Sequence, residues 1–277
     1  MEGNNGENLV GVGSEFDVGK VDKEKVRKTA RGIGEFYGCN EEVVRRGLSV
    51  EVEVVSEDDF LRGIRLFFEG IGVIAEEFEE LDDEKKAILD AMGIDPEVKK
   101  INRKKRIKEL EESVVRWGGC VVKTKDGRDK ILIKENSETD KDEMLTHELI
   151  HVMMGEDEDG GMGLSSERGE GKRFNEAVTQ LLVLRMRYRD LSQREMFNQI
   201  RDGRIETGYV EEIHKLLLLL EATTLSEKPL TTKDMASIYF SNDSSSMKRN
   251  LLLMRILSRI PENIRGQSEG VYEKYLK

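Results

Sequence analysis

The sequence predicts an α+β fold: a small antiparallel sheet, a helix carrying the candidate chemistry, further helices after it, and a mainly helical N-terminal extension. Three observations predict it. Residues 120–124 and 130–134 are β-favouring runs around Lys125-Asp126-Gly127-Arg128, and an Asp-Gly pair between such runs is a strong hairpin signal. Apolar residues recur at helical spacing over most of the rest of the chain. The segment after the hairpin opens at Thr139 or Asp140, carries Asp142 and Glu143 in its first turn and closes at Gly155, as a capped helix does.

In chain order, residues 1–20 are Gly- and Asn-rich and read as a disordered tail. Residues 22–37 have amphipathic helical spacing, and residues 48–55 alternate Val and Glu at the period of a half-buried strand. Leu61, Ile64, Phe67, Ile71 and Ile74 place two or more helices in residues 57–92, broken near Gly70 and Gly72. Ile101, Ile107, Leu110 and Val114 put another helix at about 97–116, ended by Gly118 and Gly119. After the hairpin and its helix, residues 156–172 are acidic and Gly-rich, the composition of a mobile loop. Helices are expected at 173–189, 209–221, 231–240 and 245–260, the last closed by Pro261. The corresponding organisation is a tail at 1–20, a mainly helical region at 21–117 and the chemistry-bearing domain at 118–277.

At 277 residues the chain can bury a sizeable core. Its longest apolar run, residues 216–220, is far below the roughly 20 residues of a membrane-spanning helix, and Met1–Lys20 lacks the basic-then-apolar order of a secretory signal. A cytoplasmic location follows as the expectation, with no membrane partner. Cys39 and Cys120 show no pairing pattern, which fits a reducing compartment. A net charge of −11 would repel a phosphate backbone, so nucleic acid is not expected as a partner. The basic run at 99–108 reads as the solvated face of a helix.

The decisive residues are His147-Glu148-Leu149-Ile150-His151. Four residues apart on a helix means one face, so two imidazoles can converge on one zinc ion while the adjacent Glu reaches its water. With only three histidines in the chain, coincidence would produce this pattern on the order of 0.005 times. Leu145, Leu149, Val152 and Met153 give the helix an apolar side to bury. A catalytic zinc needs a third protein ligand and an open position. Glu176, within Phe174-Asn175-Glu176-Ala177-Val178-Thr179-Gln180 at the start of the next strong helix, is a good candidate.

With these two motifs the chain resembles the gluzincin metallopeptidases, most of all the compact minigluzincins, over roughly residues 118–260. That resemblance implies a zincin-like fold, with His147, His151 and Glu176 as Zn2+ ligands and Glu148 as the general base for hydrolysis of a peptide or protein substrate. It also implies that residues 130–134 form an exposed edge strand that holds substrate by backbone pairing. Where several gluzincins carry an acid four residues after the ligand Glu, this chain has Gln180, whose amide oxygen can still accept a bond from the first imidazole. An oxyanion donor is expected from Tyr209, Tyr239 or His214, with Tyr209 favoured by the resemblance. Two rival classes exist: a zinc-bearing scaffold without turnover, and a helix-turn-helix at 231–254, which Asp234, Asp243 and the overall charge disfavour.

Overall fold

The computed structural model describes residues 19–70, 118–124, 127–157, 163–165 and 171–262. The expected helix at 97–116, residues 71–92 of the helices expected at 57–92, and residues 1–18 of the tail expected at 1–20 lie outside them, whereas Gly19 and Lys20, expected in that tail, form a strand. The described parts of Met1–Val21 and Glu51–Met144 form one compact unit, and those of Asp22–Val50 and Leu145–Lys277 a second. The two interleave along the chain, unlike the linear division at residues 117 and 118.

The first unit is built on a four-stranded sheet of order β1-β2-β4-β3, with β1 Gly19–Lys20, β2 Glu51–Val55, β3 Gly119–Lys123 and β4 Asp129–Lys134. The hairpin forms as its turn signal predicts: β3 pairs antiparallel with β4, Val121 opposite Ile131, and Gly127 takes φ +78° in the turn. β2 alternates in burial as its Val/Glu pattern requires, but it pairs parallel to β4, with Val52 opposite Ile131 and Val54 opposite Ile133. The sheet is therefore mixed rather than antiparallel, and residues 130–134 are not an edge.

The reason lies in β4 itself. Ile131, Leu132 and Ile133 are consecutive and all buried, so both faces of the strand are covered, the pattern of an interior strand. Its flanks are matched across β2, where Lys130 is paired with Glu53. Helix α3 (Glu57–Gly70) lays Phe60 and Ile64 against Leu132 and Val122. A Cβ on Gly63 would stand 2.5 Å from Leu132 Cδ1, so any larger residue there would make the Leu132 side chain shift.

The second unit is helical. Helices α1 (Lys23–Tyr37) and α2 (Glu41–Ser49) are capped by Asp22 and Asn40, whose side chains accept from the Glu24 and Val43 amides. Helix α4 (Lys141–Met154) starts in the first unit and runs into the second; Asp140 caps it, accepting from the amides of Asp142 and Glu143. Leu145, Leu149, Val152 and Met153 are buried as expected, and Ile150 and Met154 with them, so most of the last three turns of α4 lie inside the unit.

Among the described residues five helices follow: α5 (Lys172–Arg187), α6 (Gln193–Arg201), α7 (Val210–Thr223), α8 (Thr232–Tyr239) and α9 (Ser245–Arg259). α2 and α6 are not anticipated from periodicity; the other helices begin and end within two residues of the expected limits. Of the loop at 156–172 only residues 156–157, 163–165 and 171–172 are described. Two of those points are tied down. The Ser245 amide donates to Asp157, and the fully buried Leu164 donates its amide to Asn175 Oδ1 at 2.9 Å.

Candidate metal centre

Helical geometry puts His147 and His151 on one face of α4, and α5 brings Glu176 to the same point. His147 Nε2 and His151 Nε2 are 3.0 Å apart, and Glu176 Oε2 stands 3.2 Å from the first and 3.3 Å from the second. Ligand atoms held about 2.0–2.1 Å from a tetrahedral ion lie roughly 3.3 Å from one another. The three atoms thus form one face of a tetrahedron of the right size for a first-row divalent ion. Among the described residues this is the one group of three or more His, Cys, Asp or Glu side chains that can hold a metal.

Protonation strengthens the case. His147 Nδ1 lies 2.9 Å from Gln180 Oε1, an acceptor, so Nδ1 carries the ring proton and Nε2 presents a lone pair. Gln180 is one turn beyond Glu176 on α5, and both residues face α4. A lone pair on Nε2 and a carboxylate oxygen 3.2 Å away require a cation between them, either a metal ion or a proton. Burial works against a charged His147, but its bond to Glu176, the charges of Glu148 and Glu176 and the Gln180 bond together push its pKa up to about 9. Burial likewise opposes a charged Glu176, yet His151 and His147 hold its carboxyl well below the usual range.

Glu148 is 8% exposed and sits beside the cluster without being one of its three members. Burial raises its pKa; the two histidines pull it down and Glu176 adds to the rise. A carboxylate with a raised pKa next to a metal-capable group is a stronger base than one in water.

The three oxyanion-donor candidates separate cleanly. Tyr239 is fully buried, with its hydroxyl 2.5 Å from Thr179 Oγ1 and donating to Asn175 Oδ1 at 3.0 Å. It ties α8 to α5 and anchors the residue next to Glu176. His214 packs its ring on Phe197, 5.1 Å between centroids, and its pKa is lowered by burial and by Arg201. Tyr209 alone of the three combines partial exposure, 39%, with the charges of the site: burial raises its phenol pKa, and Glu176 and Glu148 raise it further. Its hydroxyl keeps its proton at neutral pH and can donate.

Two features of the site are not visible in the sequence. Asn175 uses one oxygen for both Leu164 and Tyr239, fixing a loop and a helix around the carboxylate that follows it. Arg173, three residues before Glu176, is paired at 2.5 Å with Glu212, three residues after Tyr209. Both pairings link positions far apart in the chain, and only the Asn-Glu dipeptide gives a local sign of either. Neither a protein-family model, nor a curated protein, nor a solved structure matches this chain. No helix among the described residues is long and apolar enough to cross a membrane.

Proposed function

We propose that the chain is a zinc-dependent hydrolase of peptide bonds, of the gluzincin kind that its two motifs resemble. The observation that carries this reading is the triangle of His147 Nε2, His151 Nε2 and Glu176 Oε2, with a buried carboxylate of raised pKa beside it. Two imidazoles and a carboxylate with one corner left open form a donor set suited to catalytic zinc, which would supply Lewis acidity to a carbonyl and to a water.

The remaining steps belong to the protein. Gln180 holds His147 in the tautomer that turns Nε2 inward. Glu148 takes a proton from the attacking water and returns it to the leaving amine. Tyr209, with its phenol protonated, donates to the oxyanion that develops on the scissile carbonyl. The resemblance to gluzincins implies a peptide or protein segment as the substrate, and the negative overall charge is unfavourable for nucleic acid.

The second reading is a metal-bearing scaffold without turnover. Gln180 favours it, because a neutral amide raises the basicity of His147 less than a carboxylate does. Glu148→Gln separates the two readings. The variant keeps zinc by elemental analysis, and cleavage of a library-selected peptide falls by about 10² to 10⁴, the usual worth of a general base. Equal cleavage by variant and parent, with a chelator control in place, rules out the proposed role of Glu148. If the parent binds zinc and cleaves nothing in a broad peptide set, the scaffold reading stands.

A further inference from the structure

Tyr209 breaks two local rules at once. It is the one non-glycine residue with positive φ among the described residues, at φ 53° and ψ 34°. It also occupies the N-cap of α7 with no side-chain bond to the helix amides, whereas α1, α2, α6, α8 and α9 are each capped by an Asp, Asn, Ser or Thr side chain. A left-handed conformation at a bulky residue persists only where its surroundings over-determine it, and such residues cluster at functional sites.

The neighbouring ion pair breaks a third rule. Arg173 sits in the first turn of α5, where the helix dipole disfavours a cation, and no acid shares that turn. Its partner Glu212 is 7% exposed, in the first turn of α7, where the dipole favours an anion. Arg173 is one turn before Glu176, and Glu212 is one turn after Tyr209. The bridge, with Glu212 buried and the Arg173 side chain 75% exposed, joins the start of α7 to the start of α5, and Tyr209 and Glu176 lie one turn from its two ends.

We infer that the Arg173–Glu212 pair is a positioning device, which holds Tyr209 in its left-handed conformation at the start of α7, from where its hydroxyl serves the oxyanion. This rests on the hydrolase reading above. The two residues act through Tyr209 and touch no reacting atom.

The test places 3-fluorotyrosine at position 209 of the full chain and follows its fluorine resonance in the zinc-loaded protein. In the parent the signal lies away from the free amino acid value. In Arg173→Gln and in Glu212→Gln it moves toward that value while zinc content stays whole. On a peptide the parent cleaves, kcat falls by about tenfold or more with KM nearly unchanged, because the lost interaction is made in the transition state. Arg173→Lys, which keeps the charge, restores both. If Arg173→Gln fails to fold, Glu212→Gln carries the comparison.

Tyr209→Asn, a residue at ease in the left-handed region, melts at or above the parent temperature. An unmoved resonance in both pair variants, a loss of zinc in step with the loss of rate, or a Tyr209→Asn protein that melts several degrees lower overturns the inference. If the parent holds zinc and cleaves no peptide, the hydrolase reading fails, and the fluorine signal alone decides whether the pair positions Tyr209.

Discussion

Between His147 Nε2 and Glu176 Oε2 a cation has to sit, and when no metal is bound a proton takes that place. Against the burial that opposes its charge, the bond to Glu176, the nearby carboxylates and the Gln180 bond push the pKa of His147 up to about 9 from an ordinary 6.5. A group whose pKa is raised on folding contributes stability that is complete below about pH 6.5 and is lost as pH rises through about 9, on the order of 3 kcal/mol for a shift of this size. Zinc must displace the proton, so its benefit runs the other way. The rise in melting temperature from EDTA to a fixed free-zinc level should be small at pH 6 and grow toward pH 9.5. An increment that is flat across this range contradicts the assignment of His147 as a ligand. His147, Glu148 and His151 are legible in the sequence because their spacing is a local property of one helix. Tyr209 is favoured in the sequence only through the resemblance, since its left-handed backbone and the Arg173–Glu212 pair near it are encoded by no local pattern.

Helix α4 ends in carbonyls that need partners, and α2 provides one. Arg46 donates to the carbonyl oxygens of Met153 and Met154, both at 3.3 Å, and is itself held by Glu42. A cation at a helix C-terminus also meets the favourable end of the dipole. Arg46→Met keeps the alkyl stem and removes these bonds, at a cost of about 1–2 kcal/mol. Urea unfolding followed by circular dichroism should show a lower midpoint with an unchanged slope. An unchanged midpoint would mean that Lys248, which also reaches the Met154 carbonyl, suffices to hold the end of the helix. α2 is hard to see in the sequence because Leu48 to Val55 alternates like a strand and draws the eye past the nine residues before Val50. Asn40 followed by Glu41 and Glu42 is its cap signature all the same. α6 has the same history: it is short, and only the Ser192–Glu195 capping box announces it. The helix α9 is legible because its buried Ser245, Lys248, Leu252 and Ile256 keep helical spacing, whereas α4 and α5, buried almost continuously, are legible from their length and end signals.

At the scale of the whole molecule, the parallel pairing of β2 with β4 could not be read from the sequence. It joins segments separated by more than seventy residues, and neither strand pattern names its partner. The run Ile131-Leu132-Ile133 was the available clue, since an edge strand seldom buries three consecutive side chains. The interleaving has a direct test. A fragment of residues 118–277 lacks β2, α1 and α2, and so strips the sheet of a central pairing and the helical unit of two of its helices. It should give a collapsed spectrum of amide resonances, while the full chain disperses. A well-dispersed fragment would show that residues 118–277 fold independently. The same interleaving bears on synthesis. The sheet unit, interrupted by Asp22–Val50, is all made once Met144 has left the ribosome, but α1 and α2, early in the chain, belong with the helices that come after Leu145. At about 5–20 residues per second the interval runs to tens of seconds. Until then, within their own unit, α1 and α2 have only each other to cover Val26, Ala30, Ile33 and Val43, all buried in the finished protein.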